Sequence, residues 1–427
     1  MKIKTTVLIL LLTSIVLGCS KGESPEPDLD QQEDTTSNPE SNIEDEDAPI
    51  VENPMEEEMG NIPFSISVIL RTSNGSLNGG EYYTMDFVMG EEKPRDPFNI
   101  SQSIGLSSNV ALADNGKEDI LLFLHTDPVS NIEDRTYSAY NLTKQEVKSG
   151  SFRDFFPDSD ECFWNVNQIG CNENKIFTFE NDVCSNEGNI RIRARDIESG
   201  EVEVFPLIEN AYAGDSGHRM LLTDRYFVLQ YDDRSPEAIN SIKDGLVIYD
   251  ANTYEEVLSL NGSQAKQISI DDDLLFVATQ PNTIEILDLN TGNPVYAATT
   301  DSFLVDWTTS VTKESISDGR VSGVREEAIL VPVYYDIAKN ETVDVNRDPY
   351  FAFFNRDTID FTADVIIPQQ FKFDMASERF AISYYTFDPG ANTPKSIGLV
   401  FMDFDGTVLF KHELPDFPLI PDRIIRR

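Results

Sequence analysis

At 427 residues, 40% of them hydrophobic, the chain can bury one large core or two ordinary ones and is too apolar to be disordered throughout. Its 75 acidic against 33 basic residues leave a formal charge of −42, which repels nucleic-acid phosphates and so excludes nucleic acid as a partner. Cations, basic proteins and neutral ligands such as glycans stay compatible with it, and acidity of this kind also keeps an exported protein in solution.

Lys2 and Lys4 precede an apolar run, residues 7–17, that is too short to span a bilayer. It ends in Val16-Leu17-Gly18-Cys19, which resembles a bacterial lipobox: Gly18 suits the cleavage pocket, and Cys19 is the residue that would carry the acyl chains. The resemblance implies a lipoprotein signal peptide at 1–18 and a palmitate-type anchor on Cys19, which would attach the protein to a membrane at about 0.8 kcal/mol per buried CH₂. Residues 19–60 are crowded with Glu, Asp, Pro, Ser and Asn and nearly lack aromatic residues. They cannot bury enough surface to offset their ordering entropy, so a disordered, self-repelling acidic tether is expected. Its opening, Cys19-Ser20-Lys21-Gly22-Glu23, resembles the export signals of Bacteroidota lipoproteins, which implies an outer-membrane lipoprotein exposed at the cell surface. Without that signal the same anchor faces the periplasm.

From residue 61 onward short strands take over, and 266–300 is their template. Residues 267–270, 274–279, 283–289 and 295–299 read as four strands; the second is an apolar run and the third alternates with period two. Asn290-Thr291-Gly292-Asn293 supplies hairpin turn chemistry. Four strands this short cannot bury their own faces, so they must stack on others. Units of the same order begin near 107, 164, 218, 320 and 370; that at 107 reads as strands 107–113, 119–125, 136–141 and 146–152, that at 320 as 320–324, 327–335, 350–355 and 359–366, and that at 370 as 370–375, 379–387, 397–402 and 408–412. The hairpin turns of the six fall near Asn141, Asp196, Asp250, Asp288, Asn355 and Asp403. That spacing is on the scale of a propeller blade, roughly 40–50 residues, and no helical periodicity competes with it. The expectation is an all-β fold: a β-propeller of six to seven four-stranded blades over 61–427, in preference to a two-sheet sandwich. Residues 64–70 and 82–89 precede the first full unit and either close the ring against the last one or belong to a seventh blade. In lipobox, tether and repeats together, the chain resembles lipid-anchored β-propellers of the Bacteroidota envelope.

Asp403-Phe404-Asp405-Gly406-Thr407 resembles the first motif of haloacid dehalogenase-type phosphotransferases, whose first Asp is a nucleophile. That chemistry requires a large α/β domain after the motif, which the remaining residues are too few to supply. Aligned with 250–253 and 288–291 of the other units, it reads as a hairpin turn. Besides Cys19 there are Cys162, Cys171 and Cys184, all in one unit. In an exported protein Cys171 and Cys184, which flank 175–180, could form a disulfide; Cys162–Cys171 is the other local choice. No metal site is expected: the three His are remote from the thiols, and zinc needs tighter spacing. Asp-rich turns such as 271–273 could offer oxygens to Ca²⁺, but they lack the D-x-[DN]-x-[DN]-G loop and read as solvated. No cofactor is predicted.

The first strand of each propeller blade lines the central channel, and the strands read as first begin with Trp164, His218, Lys266, Arg320 and Lys372. These five are the candidate ligand-binding residues, with Trp164 stacking on a sugar and the cations steering a small anion to the channel mouth. No residue set requires catalysis. The expected function is that of an envelope binding protein, which captures a glycan or small anionic ligand or docks to an outer-membrane protein such as a nutrient importer. The alternatives are a propeller enzyme acting on polysaccharide and an adhesion or structural envelope protein.

Overall fold

Strands with both faces apolar recur along the chain, and the computed structural model shows why: each is sandwiched between two neighbouring sheets. The structure describes residues 62–72, 80–106, 110–113, 115–117, 119–125, 136–155, 165–182, 188–213, 220–234, 243–260, 265–279, 283–299, 316–327, 329–354, 365–388, 394–414 and 419–427. Among these, seven sheets form the blades of a β-propeller ring, antiparallel throughout except that the short Asn115–Gly116 pairs parallel with Asn165–Cys171. Cys19 and the expected signal peptide and tether lie outside the described residues.

Blade 1 is assembled from both ends of the described chain. Leu419–Arg426 forms its innermost strand and pairs antiparallel with Ile66–Thr72, followed outward by Tyr82–Phe87 and Phe98–Asn99. The ring is therefore closed by a strand that the sequence reading left out. Blade 2 begins at Val110–Leu112, blade 3 at Asn165–Cys171 and blade 4 at Met220–Leu222. Blade 5 is the expected template, with strands Ala265–Asp271, Leu274–Thr279, Thr283–Asp288 and Asn293–Thr299.

The core is divided into seven layers, one between each pair of adjacent blades. Tyr226–Asp233 illustrates the rule. Phe227, Leu229 and Tyr231 enter the layer shared with blade 3, while Tyr226 and Val228 enter the layer shared with blade 5. Alternation is thus hidden, because both directions are apolar. Tyr384 and Tyr231 also lie directly across from Gly398 and Gly245 in their ladders, so that each ring covers a glycine backbone. A Cβ at Gly398 would overlap the wholly buried Tyr384 ring. Gly398→Ala is expected to lose about 1–3 kcal/mol, read from the urea midpoint. A change below ~0.5 kcal/mol would mean that the ring moves aside freely.

Blade 6 departs from expectation. Its strands are Ile316–Ser317, Arg320–Glu326, Leu330–Asp336 and Glu341–Asp344, one strand out of step with the reading above. Of the run 350–355, read as a strand, residues 350–354 belong to the helix Arg347–Phe353 and its C-terminal cap. Pro349 near the helix start and the core contacts of Tyr350 and Phe354 explain the misreading: the aromatics serve a helix face packed against blade 7. A second short helix, Ile100–Ile104, was equally unforeseen. Blade 7 starts earlier than expected, at Val365, because Pro368 sits inside its innermost strand at a register shift. An inner edge strand tolerates a residue with no N–H.

One turn recurs between third and fourth strands. The side-chain Oδ1 of Asn141, Asp196, Asp250, Asp288, Asp336 and Asp403 each accepts a backbone N–H two to four residues on, at 2.7–3.0 Å. Asp403 is therefore a turn residue, as its alignment implied, and Gly406 supplies the positive φ of 82° that the turn needs. The correct sixth member is Asp336, not Asn355, which lies outside the described residues. The N–H donors hold the Asp196 carboxyl below its ordinary range. At Asp250 and Asp336 burial works in the opposite direction, but the N–H groups of Asn252 and Thr253, and of Lys339, outweigh it, and both carboxyls are lowered. A lowered folded value means that the stabilisation is complete above the unfolded value of about 3.9 and disappears as pH falls through the folded one. Asp250→Asn keeps the acceptor but not the charge. The wild type should exceed it by about 1 kcal/mol at pH 7, and the difference should shrink progressively as pH falls below about 3.9. A gap in urea titrations that does not change with pH below that point would contradict this origin.

Candidate functional site at the channel mouth

The turns joining first to second strands gather at one end of the channel. There a cavity of about 550 Å³ opens, lined by residues of blades 1, 2, 4, 5 and 7. Each turn is built locally. In blade 4 the Thr223 hydroxyl accepts the N–H groups of Arg225 (3.3 Å) and Tyr226 (3.0 Å), which presents Asp224 and Arg225 at the tip. In blade 5 Asp272 takes a φ of 48°, a left-handed conformation that Asp tolerates, and so Asp271–Asp273 face the opening.

Charge is distributed unevenly around this wall. Blades 7, 1 and 2, which are consecutive in the ring, contribute Lys372, Arg426, Arg427, Lys117 and one carboxylate, Asp119. Blades 4 and 5 contribute Asp224, Asp271, Asp272, Asp273 and one cation, Arg225. Ion pairs fix several of these groups. Lys117 Nζ lies 2.6 Å from Asp224 Oδ2 and 3.5 Å from Asp119 Oδ1. Burial works against the Lys117 ammonium, but those carboxylates outweigh it and its pKa is raised, so it stays charged at neutral pH. Arg225 reaches Asp250 (3.4 Å) and Asp273 (3.8 Å), and bonds Asn290 on the next blade. Arg426 meets Asp374 at 3.1 Å, and Arg427 meets Asp86 at 3.1 Å. Leu142, Leu222, Ile270, Phe373 and Ile425 supply apolar wall between the charges.

The five sequence candidates do not surround this opening together. Lys372 lines it, near the end of Val365–Asp374. Lys266 lies at the start of Ala265–Asp271, whereas the cavity is lined from the end of that strand. Arg320 is on the second strand of blade 6 and ties that blade to blade 7, with Nη1 2.9 Å from Glu378 Oε1 and 3.4 Å from the Met375 carbonyl. It does not line the cavity. Trp164 and His218 lie outside the described residues. Sequence reasoning looked to the starts of the first strands, whereas this cavity is lined from their ends, and it did not single out Lys117, Asp224, Arg426 and Arg427. Asp224 had a usable signal, since the polar turn Thr223–Arg225 corresponds to Asp271–Asp273 of the template.

Cys171 is a free, fully buried thiol in the structure, packed with Ile120, Phe155 and Ile176 between blades 2 and 3. Burial pushes its pKa up to about 12. Cys184, the other half of the expected bridge, and Cys162 lie outside the described residues. Among the described residues no three His, Cys, Asp or Glu side chains converge as a metal would require.

No protein-family model and no curated protein matches the chain. Several solved structures are similar to it. The β-propeller domain of the Trilobed protease from Pyrococcus furiosus, described as having an open velcro topology, is 12% identical, with 83% of this chain and 92% of that one covered at a TM-score of 0.46. Acylaminoacyl peptidase of Pyrococcus horikoshii is 13% identical over 83% of this chain, which spans about half (51%) of that protein, at a TM-score of 0.44. BamB from Moraxella catarrhalis is 12% identical, covering 78% and 93%, at 0.34. Likeness at this level carries no argument, and the seven-bladed ring rests on the strand order itself.

Proposed function

We propose that the protein is a ligand-capture module of a bacterial envelope, held to the outer membrane by a lipid on Cys19 and binding a small molecule in the channel-mouth cavity. The observation that carries this reading is the cavity itself: about 550 Å³, open to solvent, lined from five blades. That volume is within the range of small-molecule sites, roughly 300–1,000 Å³, and too small for a protein segment of any length. Its charged groups are held by bonds to the turns and to neighbouring blades, so little ordering remains to oppose binding. The lining offers ammonium, guanidinium and carboxylate groups, which suits binding and orientation. Docking to an outer-membrane partner is the weaker reading. The exposed Val147, Val204, Val257 and Val295 come one per blade on outer strands, and single apolar residues of this kind are ordinary surface.

The test is a thermal-shift screen of glycans, small anions, cations and zwitterions on the full chain, repeated with Lys372→Glu. A ligand at 100 times its Kd stabilises by about 2.7 kcal/mol. The expected result is a compound whose shift is largely lost in the variant. Ligand shifts that survive Lys372→Glu unchanged would place binding elsewhere. For the anchor, Cys19→Ala should release the protein from membranes and abolish incorporation of a palmitate analogue; retention of either overturns the lipid assignment.

A further inference from the structure

The division of charge across the cavity suggests what kind of molecule it holds. Among the described residues of the lining, four cations and one carboxylate stand on blades 7 and 1 and on the first connection of blade 2, and four carboxylates and one cation on blades 4 and 5. The two walls carry opposite fields, and Lys117 reaches across blade 3, where its backbone N–H bonds the Cys171 carbonyl at 2.8 Å. Lys117 and Asp224, in contact at 2.6 Å, are the point where the walls meet. Resting on the capture reading above, we infer that the cavity takes a short zwitterion: a di- or tripeptide free at both ends, its carboxylate toward Lys372, Arg426 and Arg427 and its ammonium toward Asp271, Asp272 and Asp273.

Three physical points lead to this class. The first is size. A cavity of about 550 Å³ is on the order of 10 Å across, and an extended chain rises ~3.3–3.6 Å per residue, so three residues put their end charges about one cavity apart. The second is long-range electrostatics. A body of net charge −42 repels a free anion before it reaches the cationic wall, whereas a molecule with no net charge meets no such barrier. A diamine is attracted from afar but must set one of its charges against Lys372 and the two arginines. The third is donor capacity. Each guanidinium has five N–H donors, so Arg426 and Arg427 hold Asp374 and Asp86 and still have N–H groups to present to a carboxylate. The apolar wall of Leu142, Leu222, Ile270 and Phe373 lies between the poles, where peptide side chains would lie.

The experiment is isothermal titration calorimetry of the full chain at low ionic strength with trialanine and trileucine, their N-acetylated and their C-amidated forms, glutarate and 1,5-diaminopentane. A free tripeptide should bind at least tenfold more tightly than either capped form, and more tightly than glutarate or the diamine. Lys372→Gln should weaken the free tripeptide but leave the amidated one unchanged, and Asp272→Asn should weaken the free tripeptide but leave the acetylated one unchanged. Equal affinity for free and capped peptides, tighter binding of glutarate or the diamine, or no heat with either tripeptide would overturn the inference. If the thermal-shift screen has meanwhile found a different compound whose effect depends on Lys372, the capture reading stands while the zwitterion falls. If it has found none, both fall.

Discussion

Deletion of residues 419–427 should abolish cooperative folding of the ring. Leu419–Arg426 pairs with Ile66–Thr72 along the whole strand and buries Ile424 and Ile425 (6% and 1% exposed). The two isoleucines alone represent about 3–6 kcal/mol, a large part of the total stability of an ordinary domain. The same strand ties blade 1 to both neighbours: Arg423 Nη2 donates to the Ala113 carbonyl of blade 2 at 2.9 Å, and Arg426 meets Asp374 of blade 7. Without it, Ile66–Thr72 becomes an open edge lined with Ile66, Val68 and Leu70, and an edge of that kind pairs with other chains. The deleted protein should elute as oligomers, and calorimetry should show a broad transition or none. A milder test is Ile425→Asp, which places a charge in the layer between blades 1 and 2 and should lower stability by several kcal/mol. A sharp, monomeric transition within a few degrees of wild type for the deletion would show that the ring closes without its strand.

The second large effect is expected at Glu180 and Arg193. Both lie in blade 3, on the second and third strands, with Arg193 Nε 2.8 Å from Glu180 Oε1 and side-chain exposures of 9% and 0%. Arg193 also donates to the Phe155 carbonyl at 3.4 Å. Removing one partner takes a buried 2.8 Å ion-pair contact from the other charge, and Glu180→Ala or Arg193→Ala should each lose about 3–5 kcal/mol. The double substitution Glu180→Met/Arg193→Met removes both charges while keeping volume, and should cost less than either single change. Urea unfolding of the four proteins decides the point. Additive losses would mean that the two side chains act independently.

The strands that sequence reading located best are the second and third of each blade, and the reason is physical. Residues 274–279, 136–141 and 379–387 were read at the bounds later observed for Leu274–Thr279, Thr136–Asn141 and Arg379–Phe387. Burial on both faces makes such runs continuously apolar and flanked by turns. Inner and closing strands lack that signature. Leu419–Arg426 carries Pro421, Asp422, Arg423 and Arg426, because one edge of an inner strand faces the channel and its polar groups serve neighbouring blades. The cavity was hardest to see. Its residues come one or two at a time from turns of five blades, and locating them requires knowing which end of each inner strand meets the next turn. A slip of one strand in blade 6 was enough to send Arg320 to a strap between blades, and the late start assigned to blade 7 concealed that Lys372 sits at the far end of its strand.

The way blade 1 is built has a mechanical side. The chain enters the ring at Ile66, whose strand is held by Leu419–Arg426 on one side and Tyr82–Phe87 on the other. A pull arriving from the N-terminal side of Ile66 runs along the strand axis, so the hydrogen bonds of both ladders share it in shear instead of opening one after another. Ile66–Thr72 is thereby the strand through which such a force enters the ring, and the load falls on the two long ladders of that blade and not on the short pairing with Phe98–Asn99.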